Sequence, residues 1–453
     1  MFSRLLLFVA LLLIPGVLRA EDAPVEKAGF AKKLTIYLAK GPANACGAGC
    51  DRWIAIEGEI DREAAQRIRT FLYATKDPQL PIYLHSPGGN VEQSYAIARF
   101  LRARKAIARV GRTTVPACSA GTQVDAACLK IKATKGEVAA ELTTRNAMCV
   151  SACAYLFLGA TDREVAPDSV LGVHNSRLMF VVHGHPPPQA VADFKRREMV
   201  SADRDRNLFL AAMGISRELS DLIRTVKFEN LHVLTRPELY RFGIDTRPLP
   251  DTLWAVEKEA RPYVRKIAQQ KNGDGSAFRM MEWRLFCENK DRGRLMFVRE
   301  FEEGRAGKST VVMMAGVTKA VAFGRLPARF GKYEVWSDPV SADIVKAMTA
   351  VPHLQIGESA LSSDGKPDPA RPGVATFDID TTGLEQGWTQ LLASCPTATS
   401  APKSASVAGR SVAWRQRGAG GIAVAMSARG ANRSRAMHLD AVALSSGSAI
   451  NAA

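Results

Sequence analysis

The sequence predicts an α/β fold, a parallel β-sheet with crossover helices followed by a smaller β-rich C-terminal domain, and three observations carry that reading. Apolar runs of strand length alternate with segments of helical period between Leu34 and Val110. Glycine- and proline-bearing turns separate them, Ser86-Pro87-Gly88-Gly89 foremost. Beyond residue 276 the pattern changes to short strand-like runs broken by turns, with one helix near the end.

Taken in order, residues 1–20 read as an export signal. Arg4 precedes the apolar run Leu5 to Ile14, and Val17-Leu18-Arg19-Ala20 ends on a small residue suited to cleavage before Glu21. That run is too short to span a bilayer, so a soluble chain, periplasmic or secreted, is expected. Leu34 to Leu38 is a strand, and Trp53 to Ile60 is a second that ends at Asp61, placed to cap a helix over 62–74. Leu80 to His85 is a short strand closed by the Ser-Pro-Gly-Gly turn. A helix over 90–103 follows through Val91, Tyr95, Ala98 and Leu101, then a strand over 107–110. Pro188 to Ala212 is a long helix with a charged, solvated face.

These elements place an α/β domain at 30–250. The charged stretch 251–276, ending in Gly273-Asp274-Gly275-Ser276, reads as a linker, and 277–396 as the small β-rich domain. Strands are expected near 281–287, 294–298, 310–314 and 375–379, with a helix over 384–394. The remainder, 397–453, is rich in Ser, Ala, Gly and Arg and reads as a disordered tail.

The 453 residues are 47% hydrophobic and 23% charged, enough to bury more than one core. The net charge of +16 is uneven. Setting aside Arg4, Arg19 and a tail with seven Lys/Arg against one Asp leaves about +8 for the folded part. No interleaving of basic and aromatic residues accompanies it, so no nucleic-acid partner is expected. Eight cysteines, an even number, fit an oxidising destination. Their spacing suggests the pairs Cys46/Cys50, Cys118/Cys128, Cys149/Cys153 and Cys287/Cys395. A zinc site at Cys46 and Cys50 lacks a matching His/Cys pair, so no metal or other cofactor is expected.

The chemistry-bearing stretch is Cys149-Val150-Ser151-Ala152-Cys153, followed by the apolar run Ala154 to Leu158. Small residues flank a single serine at the start of a buried helix, where free N–H groups suit an oxyanion beside a nucleophile. By itself such a serine is commonly an N-cap. His174 ends the apolar run Val170 to Val173, and a histidine there is commonly structural. The glycines of Ser86-Pro87-Gly88-Gly89, between strand and helix, let backbone N–H groups approach a ligand closely.

Together these residues resemble a family. Ile56 to Ile60, Ile82 to Gly89, Ser151 opening an apolar helix, Ala166-Pro167-Asp168-Ser169, Val173-His174, and Thr235 to Asp245 occur in the order seen in the Clp protease proteolytic subunit, within the crotonase-like superfamily. The resemblance covers roughly residues 50–250. It implies Ser151 as nucleophile, His174 as general base, the Gly89 and Ala152 N–H groups as oxyanion hole, peptide or protein substrates, and a homo-oligomer. Aligning Thr235-Arg236-Pro237-Glu238 with the family's equivalent turn puts the triad acid at Leu231, so Asn230, Glu229 and Asp221 are the substitutes to consider. The related signal peptide peptidases, with a Ser-Lys dyad, would point to Lys195 as an alternative base. The stretch 113–144 exceeds the family's length and is expected as a disulfide-tied hairpin, either over the active-site edge or as a stabilising insertion. An exported serine peptidase is the implied function, and a catalytically inactive scaffold or binding protein its rival.

Overall fold

The computed structural model describes residues 29–119, 121–177, 186–272, 277–300, 309–316, 319–323, 327–360 and 374–395, with the short segments 422–424 and 437–439. The expected signal, 1–20, lies outside the described residues. So does the tail, apart from Ile422–Val424 paired antiparallel with Met437–Leu439.

Strands β1 (Thr35–Lys40) and β2 (Arg52–Glu57) pair antiparallel and lead into α1 (Ala64–Ala74). Asp61 accepts from the N–H groups of Leu34 and Glu63 at 3.0 and 3.1 Å, tying the start of α1 to the entry of β1. The chain then alternates β3 (Ile82–His85), α2 (Val91–Ala103) and β4 (Ile107–Val110). Asn90 caps α2 by accepting from the Gln93 N–H at 3.0 Å. Next come β5 (Arg112–Thr114), α3 (Ala126–Lys132), β6 (Glu137–Ala139), β7 (Glu141–Thr143), β8 (Met148–Val150), α4 (Ala152–Leu158), β9 (Asp162–Glu164) and β10 (Val170–Val173). The domain closes with α5 (Pro188–Ala212), α6 (Arg217–Thr225), β11 (His232–Val233) and α7 (Arg236–Arg241).

Two sheets result. The larger runs β6-β1-β2-β3-β4-β9, with β2, β3, β4 and β9 parallel, as crossover helices require. The smaller runs β11-β10-β8, with β8 and β10 parallel. A bridge from Ser86 to Cys149 joins them. Period-two alternation explains why both faces of β2 are buried. Ile54 and Ile56 face the core shared with Ile68 of α1, Ile97 of α2 and the whole of α4, whereas Trp53 and Ala55 face Tyr37, Tyr83, Val115 and Val138.

That second face is where the long insertion goes. In place of a hairpin over the active-site edge, residues 113–144 contribute the β5–β7 pair, α3 and β6, and cover Tyr37, Trp53 and Tyr83. Lys132 of α3 reaches Glu57 of β2 at 2.9 Å, both largely buried. Disulfides Cys46–Cys50 and Cys118–Cys128 flank this layer.

The second domain begins earlier than its sequence suggests. Residues 255–257 and 263–271, inside the expected linker, are strands β12 (Ala255–Glu257) and β13 (Tyr263–Lys271), and β13 pairs over nine residues with β14 (Phe278–Asn289). Two of the charges that made this stretch look like a linker, Arg265 and Lys266, are buried with partners. Arg265 reaches Glu282 at 2.9 Å, and Lys266 reaches Asp251 at 2.6 Å. With β15 (Arg292–Glu300), β16 (Ser309–Ala315), β17 (Lys319–Ala322), β18 (Ala328–Phe330), β19 (Tyr333–Ser341), β20 (His353–Ala360) and β21 (Val374–Asp380), two antiparallel sheets form, ordered β12-β13-β14-β15-β19-β18 and β17-β16-β20-β21. Helices α8 (Ala342–Thr349) and α9 (Leu384–Ala393) pack on a core of Trp283, Phe297, Trp336 and Leu391, and Cys287–Cys395 ties the end of the domain to β14.

The domains meet through polar contacts. Arg265 also approaches Asp168 at 3.5 Å and Glu257 at 3.2 Å, and Arg145 pairs with Glu257. Lys271 donates to the Tyr240 hydroxyl at 2.8 Å, and Arg236 to Gln269 at 3.0 Å.

Candidate active site

Ser151 is the single residue between β8 and α4, with φ +59° and ψ −126°. An L-residue at positive φ is strained and needs surroundings that enforce it. Here they are visible. The Ser151 N–H donates to the Gly172 carbonyl at 2.9 Å, and its carbonyl accepts from Ala154 at 3.0 Å. Every residue of α4 is buried, and the Cys149–Cys153 disulfide closes the turn from both sides.

The Ser86–Gly89 loop is pressed against this turn. Val150 N–H donates to Ser86 O at 3.1 Å and Ser86 N–H to Met148 O at 2.8 Å. Ser86 Oγ donates to Gly58 O at 2.6 Å and accepts from Gly88 N–H at 3.1 Å. Gly88 has φ +97°, and a Cβ there would lie 2.7 Å from Ser151 Cβ and 2.9 Å from Ala152 N. Gly89 has φ +139°, and a Cβ would lie 2.4 Å from Ile60 O. Only glycine fits either position. Both candidate oxyanion donors therefore sit in constrained backbone: Gly89 in this loop, Ala152 as the first residue of α4.

His174 follows β10. Since Gly172 stands opposite Val150 in the parallel β8–β10 register, Ser151 and His174 emerge from the same ends of adjacent strands. The residue is 6% exposed, and its Nδ1 lies 2.8 Å from the Asn175 carbonyl. A carbonyl only accepts, so Nδ1 carries the proton. Burial lowers the pKa of the ring, against smaller upward pulls from that hydrogen bond and from the Glu229 charge. Neutral, Nδ1-protonated His174 has its lone pair on Nε2, the form a general base requires. Phe228 packs edge-on to the ring at 4.9 Å.

The expected third members fall as follows. Leu231 packs its side chain at Gly172. Glu229 is near enough for its charge to act on His174, but no hydrogen bond joins them among the described residues. Asn230 N–H closes a turn onto Lys227 O at 3.0 Å. Asp221 pairs with Arg224, both half exposed, on α6. Lys195 lies on α5, along a cleft with Asn175, Arg177 and Phe228. The acceptor on Nδ1 is thus the Asn175 main chain. Sequence reasoning missed it because a backbone carbonyl has no residue-type signature.

The Clp protease family model matches residues 49–151, a segment that ends on Ser151. No curated protein matches the chain significantly. Among solved structures, a ClpP1 variant from Listeria monocytogenes is 17% identical, covering 42% of this chain and 85% of that one, with a TM-score of 0.26. Invasion-associated protein B from Bartonella henselae is 14% identical over 32% of this chain and 91% of that one, TM-score 0.22. A membrane-bound stomatin-specific protease in complex with a substrate peptide is 15% identical over 40% and 66%, TM-score 0.24. The family match falls on the strand-helix core that carries the Ser86–Gly89 loop and Ser151, so residues 49–151 are similar to the Clp protease family, within an α/β domain that is followed by a β-rich C-terminal region.

Proposed function

We propose that this protein is an exported serine hydrolase, a peptidase working through an acyl-enzyme. The observation that carries the reading is the positive-φ turn of Ser151, wedged against Gly88 and set beside the strand end that bears a neutral His174. Ser151 Oγ attacks the peptide carbonyl while His174 Nε2 takes its proton. The Gly89 and Ala152 N–H groups receive the negative charge on the tetrahedral oxygen. His174 then protonates the leaving amine, and water, activated by the same imidazole, releases the acyl group. The Asn175 carbonyl orients the ring, a neutral stand-in for the triad carboxylate.

The apolar Leu231 favours the rival reading, an inactive scaffold or binding protein. A fluorophosphonate probe with peptide mapping separates them: covalent label on Ser151, absent in Ser151→Ala, supports the hydrolase, and an unlabelled folded protein supports the scaffold. Labelling that survives His174→Ala and disappears in Lys195→Met would move the base to Lys195. Four disulfides fit an oxidising compartment. Among the described residues no helix is long and apolar enough to cross a membrane. Met199, Val200 and Leu208 project exposed from α5, which supports self-association, checked by light scattering of the purified chain.

A further inference from the structure

Beside His174 lies a cleft of about 390 Å³, within the size range of ligand sites, and its lining is strongly one-sided in charge. Arg177, Lys195, Arg224 and Lys227 line it against one acid, Glu229. The chain as a whole has 61 Lys/Arg against 45 Asp/Glu, so four to one is a local concentration and not the average of a basic protein. Arg224 is partly neutralised by Asp221. Arg177 lies over the Phe228 ring at 5.8 Å, the ring whose edge meets His174 at 4.9 Å. The same cleft is lined by Asn175, the residue whose carbonyl holds His174 Nδ1, so cleft and imidazole share a wall.

We infer that this cleft binds acidic side chains of a peptide whose scissile bond lies at Ser151, making the substrate class acidic peptides or proteins. The inference rests on the hydrolase reading for its orientation, but binding itself does not require turnover. The cleft shares Asn175 and Phe228 with the surroundings of His174, so it lies within reach of a peptide engaged at the site, and its clustered cations attract carboxylates and repel lysine-rich segments. Met199 and Phe228 add apolar walls that suit the methylene stem of glutamate.

The test uses the full-length Ser151→Ala protein and fluorescein-labelled peptides identical except for a Glu-Glu, Gln-Gln or Lys-Lys pair. Fluorescence anisotropy at low salt is expected to show the Glu-Glu peptide bound about 10-fold more tightly than Gln-Gln, and Lys-Lys most weakly. The preference is expected to shrink in 0.5 M salt, by about 3-fold or more. In Arg177→Glu/Lys227→Glu it should fall within about 2-fold or invert, and the neutral Arg177→Gln/Lys227→Gln pair should lie between. Equal affinity for the Glu-Glu and Gln-Gln peptides, or a preference unchanged in the charge-reversed protein, overturns the inference. Fluorophosphonate labelling of the wild type reports separately on catalysis. Labelled protein without a charge preference sinks the substrate class alone. A charge preference without labelling sinks the hydrolase and leaves an acidic-peptide binding site.

Discussion

At the scale of single residues, the buried His174 and the partly buried His85 are both held below the ordinary histidine pKa. Burial holds the pKa of His174 below its ordinary 6.5. If it is the base, the rate of Ser151 labelling should fall on the acid side with an apparent pKa below 6.5. Phe228→Ala, which uncovers the ring, should move that limb upward, and a pH–rate profile checks both. His85 accepts from the Met148 N–H at 3.1 Å through Nδ1, and burial beside Arg112 and Lys132 lowers its pKa to about 4. A folded-state pKa below the unfolded one gives stability that is complete above pH 6.5 and is lost as pH falls toward 4, up to about 3 kcal/mol. Thermal melts across pH 7.5 to 4 should show this loss, and His85→Gln should flatten the slope. Gly88→Ala should abolish labelling while the protein still folds, because the added methyl strikes Ser151 and Ala152. Full labelling of that variant would contradict the geometry described for the turn.

Among elements, the disulfides are the most directly testable. Cys149–Cys153 closes four residues and Cys287–Cys395 closes 108. By chain entropy the first contributes roughly 2 kcal/mol and the second roughly 5. Denaturant titration of the two double-alanine variants should rank them in that order. Labelling should respond in the opposite order, since only the short bridge brackets Ser151. The spacing of the cysteines already suggested all four pairings, and the helices over 90–103 and 188–212 were legible from apolar period and charge. The insertion was not. Its length was plain, but the sheet face it covers depends on Trp53, Tyr37 and Tyr83 alternating outward from strands far away in sequence.

For the whole molecule, the seam between domains is built on Arg265, which meets Asp168 of the first domain and Glu257 and Glu282 of the second. Replacing it with Met leaves three acids without that cation, two of them almost fully buried. A loss of about 3–5 kcal/mol is expected. The variant should also unfold in two calorimetric transitions where the wild type unfolds in one. A single unshifted transition would mean that this contact does not couple the domains.

The alternation of strands and helices, the glycine turn, the serine at a helix start and the even cysteines were determined by the sequence alone, because each depends on neighbours within a turn or a strand. What only tertiary structure decided are the features with no local pattern. Tyr263–Lys271 is a buried strand because Glu282 and Asp251 arrive to pair with its cations. His174 receives its acceptor from the Asn175 main chain and its cover from Phe228, neither of which a residue type announces. Local order is encoded by period and turn chemistry, whereas the partners of a buried charge or an imidazole are set by which distant segments the fold packs together.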